Sequence, residues 1–225
     1  MNFFSKSLIA CMMVASGVSA ANAGVVIGGT RVIFDGNKKE ASINVNNPDP
    51  TPYLIQSWIE TQNGGAEKAP FIITPPLYRL DKGQKNVERV IMAGSLPQDK
   101  ESLYWLNIKA IPAASRAENS LQIAIKTKIK LIYRPASLKG AAPEELADKL
   151  TWAREGNQLR VTNPTNYVMN FNEITVAGRK LEDVSYVLPG SVARFNLPAG
   201  VSSGALIFTV INDYGGPGPA HKSSI

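Results

Sequence analysis

The stretch most able to do covalent chemistry is "GVSSG", residues 200–204, which matches the Gly-x-Ser-x-Gly turn that presents a nucleophilic serine in many hydrolases. That turn needs a strand before the serine and a helix after it. Here Pro198 precedes the turn and the apolar run "ALIFTV" follows. A serine nucleophile also needs a base. The single histidine, His221, lies in the tail "GGPGPAHKSSI", whose Gly, Pro and Ser content predicts disorder. Ser202 is therefore read as a loop residue. One histidine, one cysteine and scattered carboxylates offer no ligand spacing for a metal. No catalytic residue, metal, cofactor or small-molecule substrate is expected.

Non-covalent chemistry is concentrated in "NSLQIAIKTKIKLIYRP", residues 119–135. Every odd position from Leu121 to Tyr133 is apolar except Thr127, while the even positions include Lys126, Lys128, Lys130 and Arg134. Such alternation marks a half-buried β-strand, and an ordinary strand has roughly 5 or 6 residues. At about 3.3 Å per residue this one would reach roughly 45 Å, so part of it must overhang its own core. Three cations on one face repel unless water or an anion compensates. Two readings fit: a solvated face whose lysines block edge-to-edge aggregation, or an edge kept open for a partner's strand.

The elements that would hold this strand are also β. "RVIF", "ASINV", "YLIQSWIE", "FIITPPLYRL", "NVERVIM" and "LYWLNIKAI" recur between turn signals, a sandwich pattern. A second, smaller β unit follows, with "NQLRVTNPT", "YVMNFNEITV", "SYVLPG", "SVARFNL" and "ALIFTVIND". Between the units, Pro143, Glu144 and Glu145 begin a turn or two of helix, read as a linker. The only visible repeat is the shared Asn-Pro turn at Asn47 and Asn163.

Residues 1–23 read as a secretory signal: Lys6, then the apolar run "LIACMMVASGVSA", then the small-residue site "ANA". Its removal takes the only cysteine, Cys11, so the mature chain from Gly24 must be held by core packing alone. The formal net charge of +6 raises nucleic acid as a partner, but the cations are dispersed and carry no recognition motif, so no nucleic-acid binding is expected.

"TRVIFDG", "YLIQSW", "FIITPPLYRL", "LPQDKESLYWLNIKAIP", "LQIAIKTKIKLIYRP" and "INDYGG", in that order between residues 30 and 216, resemble the periplasmic pilus-assembly chaperones of the chaperone-usher pathway. The resemblance implies an all-β fold of two immunoglobulin-like β-sandwich domains around an interdomain cleft, 24–142 and 143–225. It also implies a periplasmic location in a Gram-negative bacterium. The implied function is one-to-one binding of pilin subunits by donor-strand complementation and their delivery to an outer-membrane usher. Leu121, Ile123 and Ile125 would fill the subunit's groove. Arg31 and Lys130 would hold its C-terminal carboxylate. Glu101, Arg134 and Asp213 would form a charge network between the domains, with Lys100 standing where the family has arginine. Thr74-Pro75 matches a bond that tends to be cis in the family. The short segment "PAASRAENS" and the absence of a mature cysteine resemble the short-loop class. An exposed apolar edge also leaves self-capping as a dimer open when the protein is free. The alternatives are an exported fimbrial subunit or adhesin, which should lack a strand, and a secreted hydrolase, which should have a base.

Overall fold

The computed structural model describes residues 24–64, 67–113 and 121–225. The expected signal segment and most of the segment before the long strand lie outside these. The first domain contains β1 (Val26–Ile27), β2 (Arg31–Asp35), β3 (Glu40–Asn46), β4 (Tyr53–Thr61), β5 (Phe71–Thr74), β6 (Leu77–Leu80), β7 (Lys85–Met92), β8 (Ser102–Pro112) and β9 (Ile125–Arg134). They form two facing sheets, β1-β3-β7-β5 and β2-β9-β8-β4-β6. Alternation supplies the inward residues, and Val32, Phe34, Ile43, Val45, Ile55, Leu106, Leu131 and Tyr133 close into one core. The Thr74-Pro75 bond is cis.

Two short 3-10 turns, Ala136–Leu138 and Pro143–Lys149, lead to β10 (Thr151–Glu155), β11 (Gln158–Thr162), β12 (Met169–Val176), β13 (Arg179–Lys180), β14 (Tyr186–Val187), β15 (Val192–Asn196), β16 (Ala205–Ile211) and β17 (Pro217–Ser224). One sheet runs β10-β11-β15 and the other β13-β12-β16-β17, with β14 on β12. Trp152, Phe171, Phe195 and Phe208 pack edge-on and tilted through this second core. The Pro143 turn is more than a linker, because it buries Ala147 in that core.

The repeated Asn-Pro turns prove equivalent in both domains. Asn47 donates to the carbonyls of Thr51 and Leu80, and Asn163 to those of Tyr167 and Leu188. Each is fully buried and ties the end of one strand to a neighbouring loop.

The tail departs from expectation. Its residues form strand β17, antiparallel to β16, and Ile225 exchanges backbone hydrogen bonds with Gly204. His221 is buried, stacks on Phe208 at 5.3 Å and lies 2.7 Å from Asp148 Oδ1. Pro217 and Pro219 are tolerated because β17 is an edge strand that needs ladder bonds on one side only. Ser202 sits in the exposed loop between β15 and β16, and a strand follows it.

Candidate functional site: an open strand edge and a cationic cleft

Strand β9 carries most of the site, and its two faces do different work. It pairs antiparallel with β8 from Ile125 to Tyr133. On its other side β2 runs parallel to it, but only from Arg31 opposite Lys130 to Asp35 opposite Arg134. From Ile125 to Ile129 that second edge has no partner strand among the described residues. The ladder is shorter than the Leu121–Tyr133 alternation predicts: Leu121 to Ala124 are unpaired, because Ala110, opposite Ile125, is the last residue of β8 to pair with β9. Alternation reports which way side chains face; it does not report whether a neighbour is present.

Along the odd face, exposure falls from 87% at Leu121 through 67% at Ile123 and 54% at Ile125 to 7% at Ile129 and 0% at Leu131. The inner half of the row is the domain's own core. Among the described residues, the outer half is exposed apolar surface, leading into a strand whose second edge is unpaired as far as Ile129. An edge of this kind is usually blunted by charge, proline or a bulge on the exposed positions.

The even face passes through three environments. Lys126 lies over the Trp58 ring, and Lys128 over Trp105, with its Nζ 3.5 Å from Glu60. These contacts answer the repulsion that the sequence raised. Lys130 turns into the space between the domains, 5.2 Å from the Tyr186 ring centroid. Burial, and then the neighbouring Arg31 charge, push its ammonium down to about 8. Burial also lowers the Arg31 guanidinium from its ordinary range, opposed by Asp213, and the buried Arg31 Nε has no hydrogen-bond partner among the described residues. Two half-buried cations side by side, one with a donor that has no partner among the described residues, are an arrangement that an anion would stabilise.

Further along, Ile132 joins Leu103 and Val168 in a small apolar cluster that also takes in Ile33, Tyr186 and Leu188. Arg134 follows. Its Nε donates to Glu101 Oε1 at 2.6 Å, and its terminal nitrogens make a paired contact with Asp213 at 2.6 and 2.8 Å. Glu101 Oε2 accepts the Val168 N–H at 2.7 Å, which links the residue just before β8 in the first domain to the second domain. Burial works against the Arg134 charge, but the bonds to Asp213 and the Glu101 carboxylate outweigh it and hold the guanidinium protonated. The loop that presents Asp213 is fixed by Asn212 Oδ1, which accepts the N–H groups of Tyr214 and Gly216. Gly215, at φ 89°, leaves no room for a Cβ against Thr30.

The structure thus brings Arg31 beside Lys130 and gathers Glu101, Arg134 and Asp213, while Leu121, Ile123 and Ile125 lie along the free edge. Sequence reasoning missed Trp58, Trp105 and Tyr186, which carry the lysine row. Trp105 faces Lys130 only through the β8–β9 register, and Tyr186 comes from the other domain. Among the described residues, no cluster of three or more histidine, cysteine or acidic side chains could hold a metal ion.

Two immunoglobulin-like sandwiches are thus joined by a buried ion network beside a cationic cleft. A family model described as "Pili and flagellar-assembly chaperone, PapD N-terminal domain" matches residues 24–139, and "Pili assembly chaperone PapD, C-terminal domain" matches 145–222. The chain is 47% identical over 201 residues to the probable fimbrial chaperone LpfB of Escherichia coli O157:H7, covering 85% of this chain and 84% of that protein. It is 41% identical over 210 residues to the chaperone FimC of Escherichia coli K12, covering 91% and 84%. A chain in the structure of the Salmonella enterica SafA pilin in complex with the SafB chaperone superposes with a TM-score of 0.83 at 34% identity, covering 92% of this chain and 99% of that one. The chain belongs to the PapD family of pilus-assembly chaperones. It is a periplasmic chaperone of the chaperone-usher pathway, and the family is not one of enzymes.

Proposed function

We propose that β9 completes an unfinished pilin subunit by lying in its groove, one chaperone to one subunit, and that the complex is then delivered to an outer-membrane usher. The observation that supports this reading is the second edge of β9, unpaired among the described residues from Ile125 to Ile129, which has exposed apolar residues up to Ile125 and ends at Lys130 beside Arg31. A subunit strand whose C-terminal carboxylate reaches those cations, and whose body runs back along Ile129 to Leu121, must lie parallel to β9. It would end where β2 starts, continuing the same row of the sheet. Leu121, Ile123 and Ile125 would enter the groove while the backbone adds a ladder. The carboxylate would fix the register, since a slip of one residue would turn every apolar side chain outward. Residues 24–142 then form the subunit-binding domain and 143–225 the second wall of the cleft. Without a subunit, the same edge favours capping by a second copy of the chain.

The test is co-expression with a pilin from a chaperone-usher system. The expected result is soluble pilin recovered one to one with tagged chaperone. Pilin equally insoluble with and without the chaperone overturns the reading. A pilin subunit in place of a chaperone would instead offer its own groove and accept a strand.

A further inference from the structure

The core of the first domain contains one acid that the site does not use. Glu88 sits on β7 with its residue fully buried, facing the opposite sheet. Ser57 Oγ on β4 donates to its Oε1 at 2.6 Å, and Tyr78 Oη on β6 donates to the same oxygen at 3.0 Å. The other oxygen, Oε2, is buried and has no partner among the described residues. From β3 and β5 the domain core presents Ile43, Val45, Phe71 and Ile73, all apolar. Among the described residues, Ser57 and Tyr78 supply the hydrogen bonds to the carboxyl, and no salt bridge includes it.

This geometry suits a neutral acid better than a carboxylate. Two hydroxyl donors converging on one oxygen satisfy a carbonyl, whereas an ionised group would spread charge onto an oxygen with no donor and no counter-ion. An unpaired buried charge costs far more than an unpaired buried hydroxyl. We propose that Glu88 is a proton-linked clasp between the two sheets, so that the subunit-binding domain tightens as its surroundings become acidic. Burial raises the Glu88 carboxyl above its ordinary range, in keeping with this placement. The sign follows from that direction. A group that holds its proton more tightly folded than unfolded contributes its full stability below the unfolded value, about 4.3, and loses it as pH rises through the folded value. Ordinary paired carboxylates, such as Asp35, act in the opposite sense.

The experiment is thermal unfolding of the full chain across pH, for wild type and Glu88→Gln, reading the difference so that all other titrating groups cancel. The neutral amide should be the more stable at pH 8, by about 4 °C or more in Tm, with the gap closing as pH falls toward 5. A gap that stays constant across pH overturns the proposal. Glu88→Leu, which removes the acid and keeps the bulk, gives the same difference curve if the amide variant does not fold. Infrared titration supplies a readout that folding defects do not imitate. A protonated-carboxyl band that persists well above the ordinary range in wild type and is missing from Glu88→Gln supports the clasp. A carboxyl that titrates in the ordinary range contradicts it.

Discussion

The last strands of the two domains make opposite edges from the same sandwich plan. Strand β17 closes the second domain with Pro217, Pro219 and Lys222 along its length, and His221 is the one side chain it buries. Strand β9 has an outer edge unpaired among the described residues from Ile125 to Ile129, and it and the residues just before it show Leu121, Ile123 and Ile125 to solvent. The first pattern has prolines that cannot complete a ladder; the second has none, and its Lys126 and Lys128 lie over Trp58 and Trp105 on the face opposite the apolar row. On the proposed function the difference has a use: the domain with the unpaired edge carries Arg31 and Lys130 at the end of that edge, and its exposed row is continuous with its own core.

That contrast breaks most sharply at Ile123. Ile123→Asp should leave Tm nearly unchanged, because the overhang supports no core. Pilin co-purification should disappear, since a charge buried in the groove costs several kcal/mol. Lys222→Asp on the guarded edge should leave pilin recovery as in wild type. Equal recovery from both variants would remove the distinction between the edges.

The cleft cations come next. Arg31→Ala and Lys130→Ala should each fold, because removing one of two neighbouring cations relieves repulsion in the free state. Each should weaken pilin binding by about 2 to 5 kcal/mol, measured by titration. The double variant should lose little more than either single one, as expected of groups that hold one anion together. Additive losses would mean two separate sites.

Arg134→Ala addresses how the edge is held against the second domain. It leaves Glu101 buried without its cation, a loss of about 3 kcal/mol. Small-angle scattering should show a wider spread of interdomain angles, with both sandwiches still folded. An unchanged scattering profile would show that the apolar cluster around Ile132 sets the angle without the ion network.

The smallest effect is a pH dependence. Lys130, pushed down to about 8 in the free protein, is charged below that pH and is drawn back up when an anion binds. Affinity for a subunit should therefore be constant below about pH 7 and fall by up to about tenfold for each unit above 8. Lys130→Ala should flatten this profile, and a flat wild-type profile would exclude the ammonium from the contact.

Much of this contrast is legible in the amino-acid order, for reasons that also explain the rest. The alternation from Leu121 to Tyr133 is a local signal, so the length of the apolar row and its lysine face are visible without a fold. The paired Asn47 and Asn163 turns are local as well. Strand β17 was not visible, because "GPAHKSS" has no apolar period. Its order comes from the ladder with β16 and from His221 against Phe208, both tertiary. The same holds for Trp58, two strands from its lysine, for Trp105 on the adjacent strand and for Tyr186 in the other domain: each ring meets a lysine only once register and domain packing are set. Arg31 and Lys130 stand 99 positions apart in the chain and become neighbours only through the parallel pairing of β2 with β9.

The central claim is that the open edge of β9 receives a strand whose C-terminal carboxylate ends at Arg31 and Lys130. It is tested most directly by titrating the full chain with a synthetic pilin C-terminal peptide, once as the free acid and once as the C-terminal amide. The account predicts measurable binding of the free acid and a loss of about 2 kcal/mol or more for the amide, with the amide's affinity unchanged in Arg31→Ala. Equal affinity of acid and amide for the wild-type protein would contradict it.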